Sequence, residues 1–406
     1  MRFEWFVALR YLRDAKGQSS LILAAVSVGV AVIVFLSALI NGLQNSLIDK
    51  TLGSQAHVTL RVPREVPRAL VEPTDTLAIS RLVQPAHERL RSIDQWPEVM
   101  VDMGRLSGVT AVSPLVTGAG TAIRADAKRP IVIRGVDPDL FTAIIDVRKR
   151  IVSGRYDLAG SAVAIGSTLA SDLGVGVGDK LRLQTPEGVE DVVQVSAIFS
   201  LGNMSVDKMW VLTSLRHAQS LFALSGGVTA IEVKVADVFA AEQTAEAARG
   251  LTGLAAESWM TVNAELLVGL SAQNSSKSMI QFFVVVAVAL GIASVLIVAV
   301  VQKSKEIGIL RAFGTPARRI LWIFLAQGGL LGLIGSFFGS GLGTLLARIF
   351  ESVARGPDGA PKFPVQLDAT LYISASLLAT GVGLAAAALP ALRASKLDPA
   401  TAIGNG

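Results

Sequence analysis

Four long apolar runs, none holding a charged residue, limit what this chain can fold into. They are Ser20 to Leu43, Met279 to Val301, Ile320 to Leu346 and Ala369 to Leu389. A run of about 20 apolar residues covers the ~30 Å hydrocarbon core of a bilayer, so each reads as a membrane span. A secretory signal peptide competes for the first run. That run exceeds a typical signal h-region and no clear small-residue cleavage site follows it, so it reads as a retained span. With 51% hydrophobic and 17% charged residues, the chain fits an integral membrane protein rather than a soluble enzyme.

The basic residues cluster at the ends of these runs. Arg2, Arg10, Arg13 and Lys16 precede the first, and no Lys or Arg follows until Lys50. Lys303, Lys305, Arg311, Arg318 and Arg319, against the single acid Glu306, separate the second and third, and Arg393 and Lys396 follow the fourth. The positive-inside rule places all three clusters, and both termini, in the cytoplasm. The net charge of +5 is explained by this topology, without nucleic acid as a partner. There is no cysteine, which excludes disulfides and thiolate metal sites.

The expected fold is membrane α-helical: four transmembrane helices, with a large α+β extracytoplasmic domain inserted between the first and second. Residues 1–19 form an amphipathic surface helix, with Trp5, Phe6, Leu9 and Leu12 at helical spacing. Residues 20–43, 277–302, 320–347 and 369–390 are the spans, and 44–276 the external domain, read as two lobes. Residues 303–319 are a cytoplasmic helix, 348–368 an external loop and 391–406 a cytoplasmic tail.

Within 44–276, His57 to Val62 and Thr229 to Val235 read as strands and Ile79 to Ile93 as a helix. Asp237 caps a helix through Arg249, and Ala256 to Val262 reads as extended, giving a βαβ-like unit. The middle adds strands ending near Pro138, at Ala162 to Ile165, at Lys180 to Leu183 and at Asp191 to Phe199. Leu173 to Asp179, rich in glycine, reads as a turn rather than a phosphate cradle, because no strand-loop-helix context surrounds it. His57, His87 and His217 are isolated and read as structural. No Gly-x-x-x-x-Gly-Lys-Ser/Thr motif and no nucleophile elbow occur, so neither ATP hydrolysis nor ester hydrolysis is expected of this chain. In the third run, Gly328, Gly332, Gly335, Gly339 and Gly343 permit close helix packing, and Gln327 reads as an interhelical hydrogen-bonding residue.

Between the second and third runs, Ile307, Ile309, Leu310 and Phe313 read as one apolar face, and Gly314-Thr315-Pro316 ends the helix. Lys305-Glu-Ile-Gly-Ile-Leu-Arg-Ala-Phe-Gly314 closely resembles the coupling helix of FtsX-like ABC permeases. Ala388 to Ala402 resembles the closing signature of that family. Ala164-Ile-Gly166, Leu169-Ala170 and Leu173 to Asp179 resemble a pattern of its lipoprotein-releasing (LolC/LolE) type. The resemblance implies a permease subunit in the bacterial inner membrane, driven by a separate ABC ATPase. ATP and Mg would be held by that ATPase, with no cofactor on this chain. A second permease protomer, identical or related, would complete the membrane unit. Lys305, Glu306, Ile307, Gly308, Leu310, Arg311 and Gly314 are the implied ATPase-coupling residues. Phe35, Leu39 and Ile40 on the first span, with Met279, Phe282 and Phe283 on the second, are the candidate lining for lipidated cargo entering from the membrane lipid. Lipoprotein release toward a periplasmic carrier is the leading function. A tripartite efflux permease working with a membrane-fusion protein is the alternative, and a non-transport regulator of cell-wall hydrolases the third.

Overall fold

The structure, a computed structural model, describes residues 2–14, 16–63, 90–355 and 364–396. In chain order the first half runs α1 (Arg2–Asp14), α2 (Lys16–Leu52), β1 (Val58–Arg61), α3 (Trp96–Arg105), β2 (Val109–Arg124), β3 (Ala127–Val136) and α4 (Pro138–Ile144). Next come β4 (Ile151–Gly154), β5 (Ala162–Gly166), α5 (Ser167–Leu173), β6 (Lys180–Gln184), β7 (Glu190–Phe199), α6 (Met204–Met209) and β8 (Trp210–Ser214). The chain continues through α7 (Leu215–Leu221), β9 (Ala230–Val235), α8 (Ala241–Thr252), β10 (Ala255–Ser258) and α9 (Trp259–Val262). It closes with α10 (Ala264–Gln302), α11 (Ser304–Ala312), α12 (Ala317–Val353) and α13 (Ala369–Ser395). Two compact units result: Leu47–Leu267, and Met1–Ser46 with Val268–Gly406.

In the first unit the ends and the middle of the segment contribute to one sheet, ordered β10-β1-β9-β2-β3-β8-β5-β7-β4. β1 lies antiparallel between β9 and β10, so β9 and β10 run parallel and α8 is the crossover of a split βαβ unit. Asp237 caps not α8 itself but the 3-10 turn Val238–Ala240 before it, accepting from the Phe239 amide, while α8 begins at Ala241 without a side-chain cap. The extended reading of Ala256 to Val262 holds only to Ser258, whose hydroxyl caps the α9 turn by accepting from Thr261 N–H. Of the expected helix from Ile79 to Ile93, residues 79–89 lie outside the described residues. Ile93 itself forms a β-bridge with Val228.

The middle closes on itself. β6 pairs with both β7 and β2, completing a ring β2-β3-β8-β5-β7-β6. Ile131, Ile133, Val163, Ile165, Leu181, Leu183, Val193, Val195 and Val211 alternate along its strands and share one core. Each is worth about 1.5–3 kcal/mol when fully buried, so the ring carries its own hydrophobic core. Gly166 of the Ala-Ile-Gly sequence lies against the Asp207 backbone, where a Cβ would collide. Asp207 in turn accepts from Leu201 N–H and Ser200 Oγ, both at 2.8 Å. The glycine-rich segment after α5 is a C-terminal cap: Gly174 has φ +61°, and Val175 N–H reaches the Ala170 carbonyl at 3.0 Å. Asp179 Oδ2 accepts from Gly176 N–H at 2.9 Å and from Arg124 at 3.1 Å, which fills the turn from within.

Arg134 on β3 and Glu232 on β9 form a buried ion pair across β2, and Arg134 stacks 3.9 Å over the Trp210 ring. Their side chains are 7% and 6% exposed. Arg134 Nε and Glu232 Oε2 find no further partner among the described residues.

Among the described residues four helices are long and apolar enough to cross a membrane: Ser19–Leu52, Ala264–Gln302, Ala317–Val353 and Ala369–Ser395. The helices overrun the apolar runs. α2 and α10, of 37 and 39 residues, extend roughly 55–58 Å at 1.5 Å per residue. α13 continues through Pro390 to Ser395, because Pro390, Ala391 and Ala394 are buried and packing offsets the missing backbone hydrogen bond. The glycines of α12 serve two faces. Gly335, Gly339 and Gly343 press on Val26, Val30 and Val34 of α2, while Gly328 and Gly332 press on Gly383 and Ala379 of α13. Gln327 is buried, but its carbonyl oxygen has no hydrogen-bond partner among the described residues, contrary to the interhelical bond expected for it.

Candidate functional site

The segment between α10 and α12 is built as a short helix held at both ends. Glu306 stands in the first turn of α11 and Arg311 in the last, each matching the partial charge of that helix end. Gly314, at φ +88°, closes the helix: its N–H reaches the Arg311 carbonyl at 3.0 Å and Thr315 N–H reaches the Leu310 carbonyl at 3.1 Å. This is the Schellman pattern, which needs glycine at the left-handed position.

The single apolar face expected for α11 is divided in two. Ile307 is buried among Val300 of α10, Ile320 and Phe324 of α12, and Ala391 and Ala394 of α13, and Gly308 is buried beside it. Leu310 and Arg311 are half-buried. Ile309 and Phe313 point the other way, 47% and 88% exposed, because positions 307 and 309 lie about 200° apart around a helix. Lys305 and Glu306 are exposed. Glu306 Oε1 pairs with Lys303 Nζ at 2.6 Å, an i,i+3 pair.

Two residues of α1, Tyr11 and Ala8, also border this junction, which their sequence positions did not signal. Tyr11 of α1 lies 5.4 Å beneath the Lys303 ammonium and 6.5 Å from the Phe324 ring. Tyr11 and Ala8 are buried against Ile323, while Phe6 and Leu9 of the expected amphipathic face are exposed. Trp5 and Leu12 of that face lie outside the residues whose side chains are described. α11 therefore sits where α1, α10, α12 and α13 converge.

The candidate cargo lining is dispersed. Phe35 is half-buried and packs edge-on against Phe350 of α12 at 5.9 Å, and Leu39 and Ile40 are half-buried. Met279, Phe282 and Phe283 are about 60% exposed on α10. Toward the ends of α2 and α10 nearest the sheet domain in sequence, polar residues that were not expected meet. Gln281 Nε2 donates to Ser37 Oγ at 3.1 Å, Lys277 Nζ to Asn41 Oδ1 at 3.0 Å, and Gln44 Nε2 to Asn274 Oδ1 at 3.2 Å. Their three-to-four-residue spacing on each helix was the available signal.

Two of the three histidines have defined surroundings, and His87 lies outside the described residues. His57 is buried, with Nδ1 3.1 Å from the Val235 carbonyl and 3.2 Å from its amide, and burial pushes its pKa below the ordinary value. His217 is not isolated as expected. Its Nε2 lies 2.8 Å from Asp191 Oδ2 and its Nδ1 2.8 Å from Thr213 Oγ1. Thr213 is fully buried in the sheet, so this Asp-His-Thr chain offers no accessible nucleophile. Among the described residues no cluster of His, Asp and Glu could hold a metal ion.

A sheet domain with a closed ring, set in one chain with four long apolar helices and a basic helical segment, defines a polytopic membrane protein with a large extramembrane domain. The family model for the MacB-like periplasmic core domain matches residues 19–251, and that for the FtsX-like permease C-terminal region matches residues 278–399. The chain belongs to this family of ABC transporter permeases. It is 24% identical over 439 aligned residues to the lipoprotein-releasing system transmembrane protein LolC of Neisseria meningitidis serogroup B, covering 98% of each chain. To the macrolide export ATP-binding/permease protein MacB of Neisseria gonorrhoeae it is 32% identical, over 29% of this chain and 17% of that protein. The solved periplasmic region of MacB from Actinobacillus actinomycetemcomitans superposes with a TM-score of 0.33 and 12% identity, covering 54% of this chain and 95% of that one.

Proposed function

We propose that the chain is the membrane subunit of a lipoprotein-releasing ABC transporter, worked by a separate ATPase that docks on α11. The observation that carries the release reading is its likeness to LolC along 98% of both chains, against 17% of MacB. The exposed pair Ile309 and Phe313, beside exposed Lys305 and Glu306, is the surface offered to the ATPase. Buried Ile307 and Gly308 seat α11 on the helices that receive the movement. Leu310 and Arg311 stand between the two faces, and Gly314 sets where the helix stops. The domain between α2 and α10 lies outside the inner membrane, and both termini lie inside. Two protomers, identical or related, make the working membrane unit. Acylated cargo passes the exposed Met279, Phe282 and Phe283 and the α2 residues Phe35, Leu39 and Ile40 on its way to a periplasmic carrier.

The test is photo-crosslinking in cells, with probes at Phe282 and Phe283 and controls at Leu377 and Leu378 on α13. Acylated lipoprotein crosslinked preferentially at the α10 sites supports release. Equal labelling at both helices rejects this path, and recovery of a membrane-fusion protein instead favours the efflux alternative.

A further inference from the structure

The helix pair α2 and α10 carries both a set of polar contacts and, further along, an apolar crevice. Lys277 is half-buried, and its hydrogen-bond acceptor is the neutral Asn41 Oδ1 at 3.0 Å. No carboxylate pairs with it among the described residues. An ammonium offers three donors, so Lys277 keeps two, and the Asn41 amide keeps its own N–H groups beside them. Further along the same two helices, Gln281 bonds Ser37. There α2, α10 and α13 leave a shallow open crevice, lined by Gly29, Ile33, Val285, Val288, Leu378 and Val382 with no polar surface. Gly29 brings α2 against Val288, which sets the depth of the crevice.

The spacing matches one leaflet. Val285 and Val288 lie roughly 12 and 16 Å along α10 from Lys277, at 1.5 Å per residue. Half of a ~30 Å hydrocarbon core is about 15 Å. A cation at headgroup level and a dry crevice at the bilayer midplane are therefore joined by one helix seam.

We infer that this seam binds one glycerophospholipid, its phosphate on Lys277 and Asn41 and an acyl chain in the crevice at Gly29. An unpaired ammonium is complemented by a phosphodiester, and a wholly apolar crevice by a hydrocarbon chain. Neither half of the site suits a free anion or a lipid lacking a charged headgroup. The lipid binds as a resident of the seam and is separate from the cargo. The inference rests on α2 and α10 crossing the membrane as proposed above. Failure of that reading would appear as loss of the chain from carbonate-washed membranes, not as loss of headgroup dependence.

The experiment uses the full chain, purified and delipidated in detergent, with lipid binding counted by native mass spectrometry. The probes are dioleoyl phosphatidylglycerol, dioleoylglycerol and glycerol phosphate. One phosphatidylglycerol should bind at least tenfold more tightly than either of the other two. Lys277→Gln, which can still hydrogen-bond Asn41, should bring phosphatidylglycerol down to the dioleoylglycerol level, and Lys277→Arg should retain it. Val285→Phe, which fills the crevice, should weaken both lipids without changing glycerol phosphate. Equal phosphatidylglycerol binding by wild type and Lys277→Gln would overturn the inference. So would glycerol phosphate binding as tightly as the lipid.

Discussion

Glu306 and Lys303 form an ion pair, 2.6 Å apart, at the first turn of α11, and the same Lys303 ammonium rests over the Tyr11 ring. The pair is accessible to solvent on the Glu306 side, where the carboxylate side chain is half exposed. An exposed i,i+3 pair contributes only about 0.2–0.5 kcal/mol to its helix. Its loss alone cannot disable the protein. If α11 docks on an ATPase, Glu306→Lys places like charges at a partly desolvated interface, which costs several kcal/mol. The variant should insert in the membrane normally yet co-purify with its ATPase at least tenfold less well. Unchanged recovery and unchanged cargo-stimulated ATP hydrolysis would remove Glu306 from the coupling surface.

The two faces of α11 predict opposite phenotypes. Ile307 is 1% exposed, and Ile307→Ala should destabilise the helix junction by roughly 2–5 kcal/mol, the range for emptying a buried isoleucine site. Phe313 is 88% exposed, and Phe313→Asp should leave the melting temperature in detergent unchanged while reducing ATPase recovery. Thermal unfolding and co-purification, measured on both variants, separate seating from docking.

Glu232→Ala should lower the stability of the sheet domain by about 3–5 kcal/mol, because it strands the Arg134 charge in the core. The double variant Arg134→Met/Glu232→Leu should recover most of that loss, since an apolar pair of similar volume is often neutral or better. Urea unfolding of the chain followed by tryptophan fluorescence reads both. Similar midpoints for the single variant and wild type would show that the pair is incidental.

His57 makes the sheet domain sensitive to acid. Burial lowers its folded pKa, so between that value and the unfolded value near 6.5 the unfolded chain binds the extra proton. Stability contributed by neutral His57 is fully present above pH 6.5 and is lost as pH falls toward the folded pKa. Replacing it by Asn should flatten the stability profile between pH 7 and pH 5. A slope equal to that of wild type would assign the acid sensitivity to other groups.

Much of this was legible in the chain because local physics dictates it. Four uncharged apolar runs give four long helices, Gly314 and Gly174 end helices wherever they stand, and alternation marks β6, β7 and β9. The sequence around Lys305 to Gly314 named the family that the comparisons bear out. What the chain could not show is how residues distant in sequence meet. The β6 pairing with β2 that closes the ring, the Arg134–Glu232 pair across β2, and the Asp191-His217-Thr213 chain all join segments tens of residues apart. Periodicity sees only neighbours. The same limit explains the errors. Ile307 and Ile309 are equally apolar in sequence, but only packing against Val300, Phe324 and Ala391 decides which of them is buried. Glycines Gly328 through Gly343 announce close packing, yet only the tertiary structure assigns one set to α2 and the other to α13. The reason is that a residue's type fixes what it can bury, while the arrangement of its neighbours fixes whether it does.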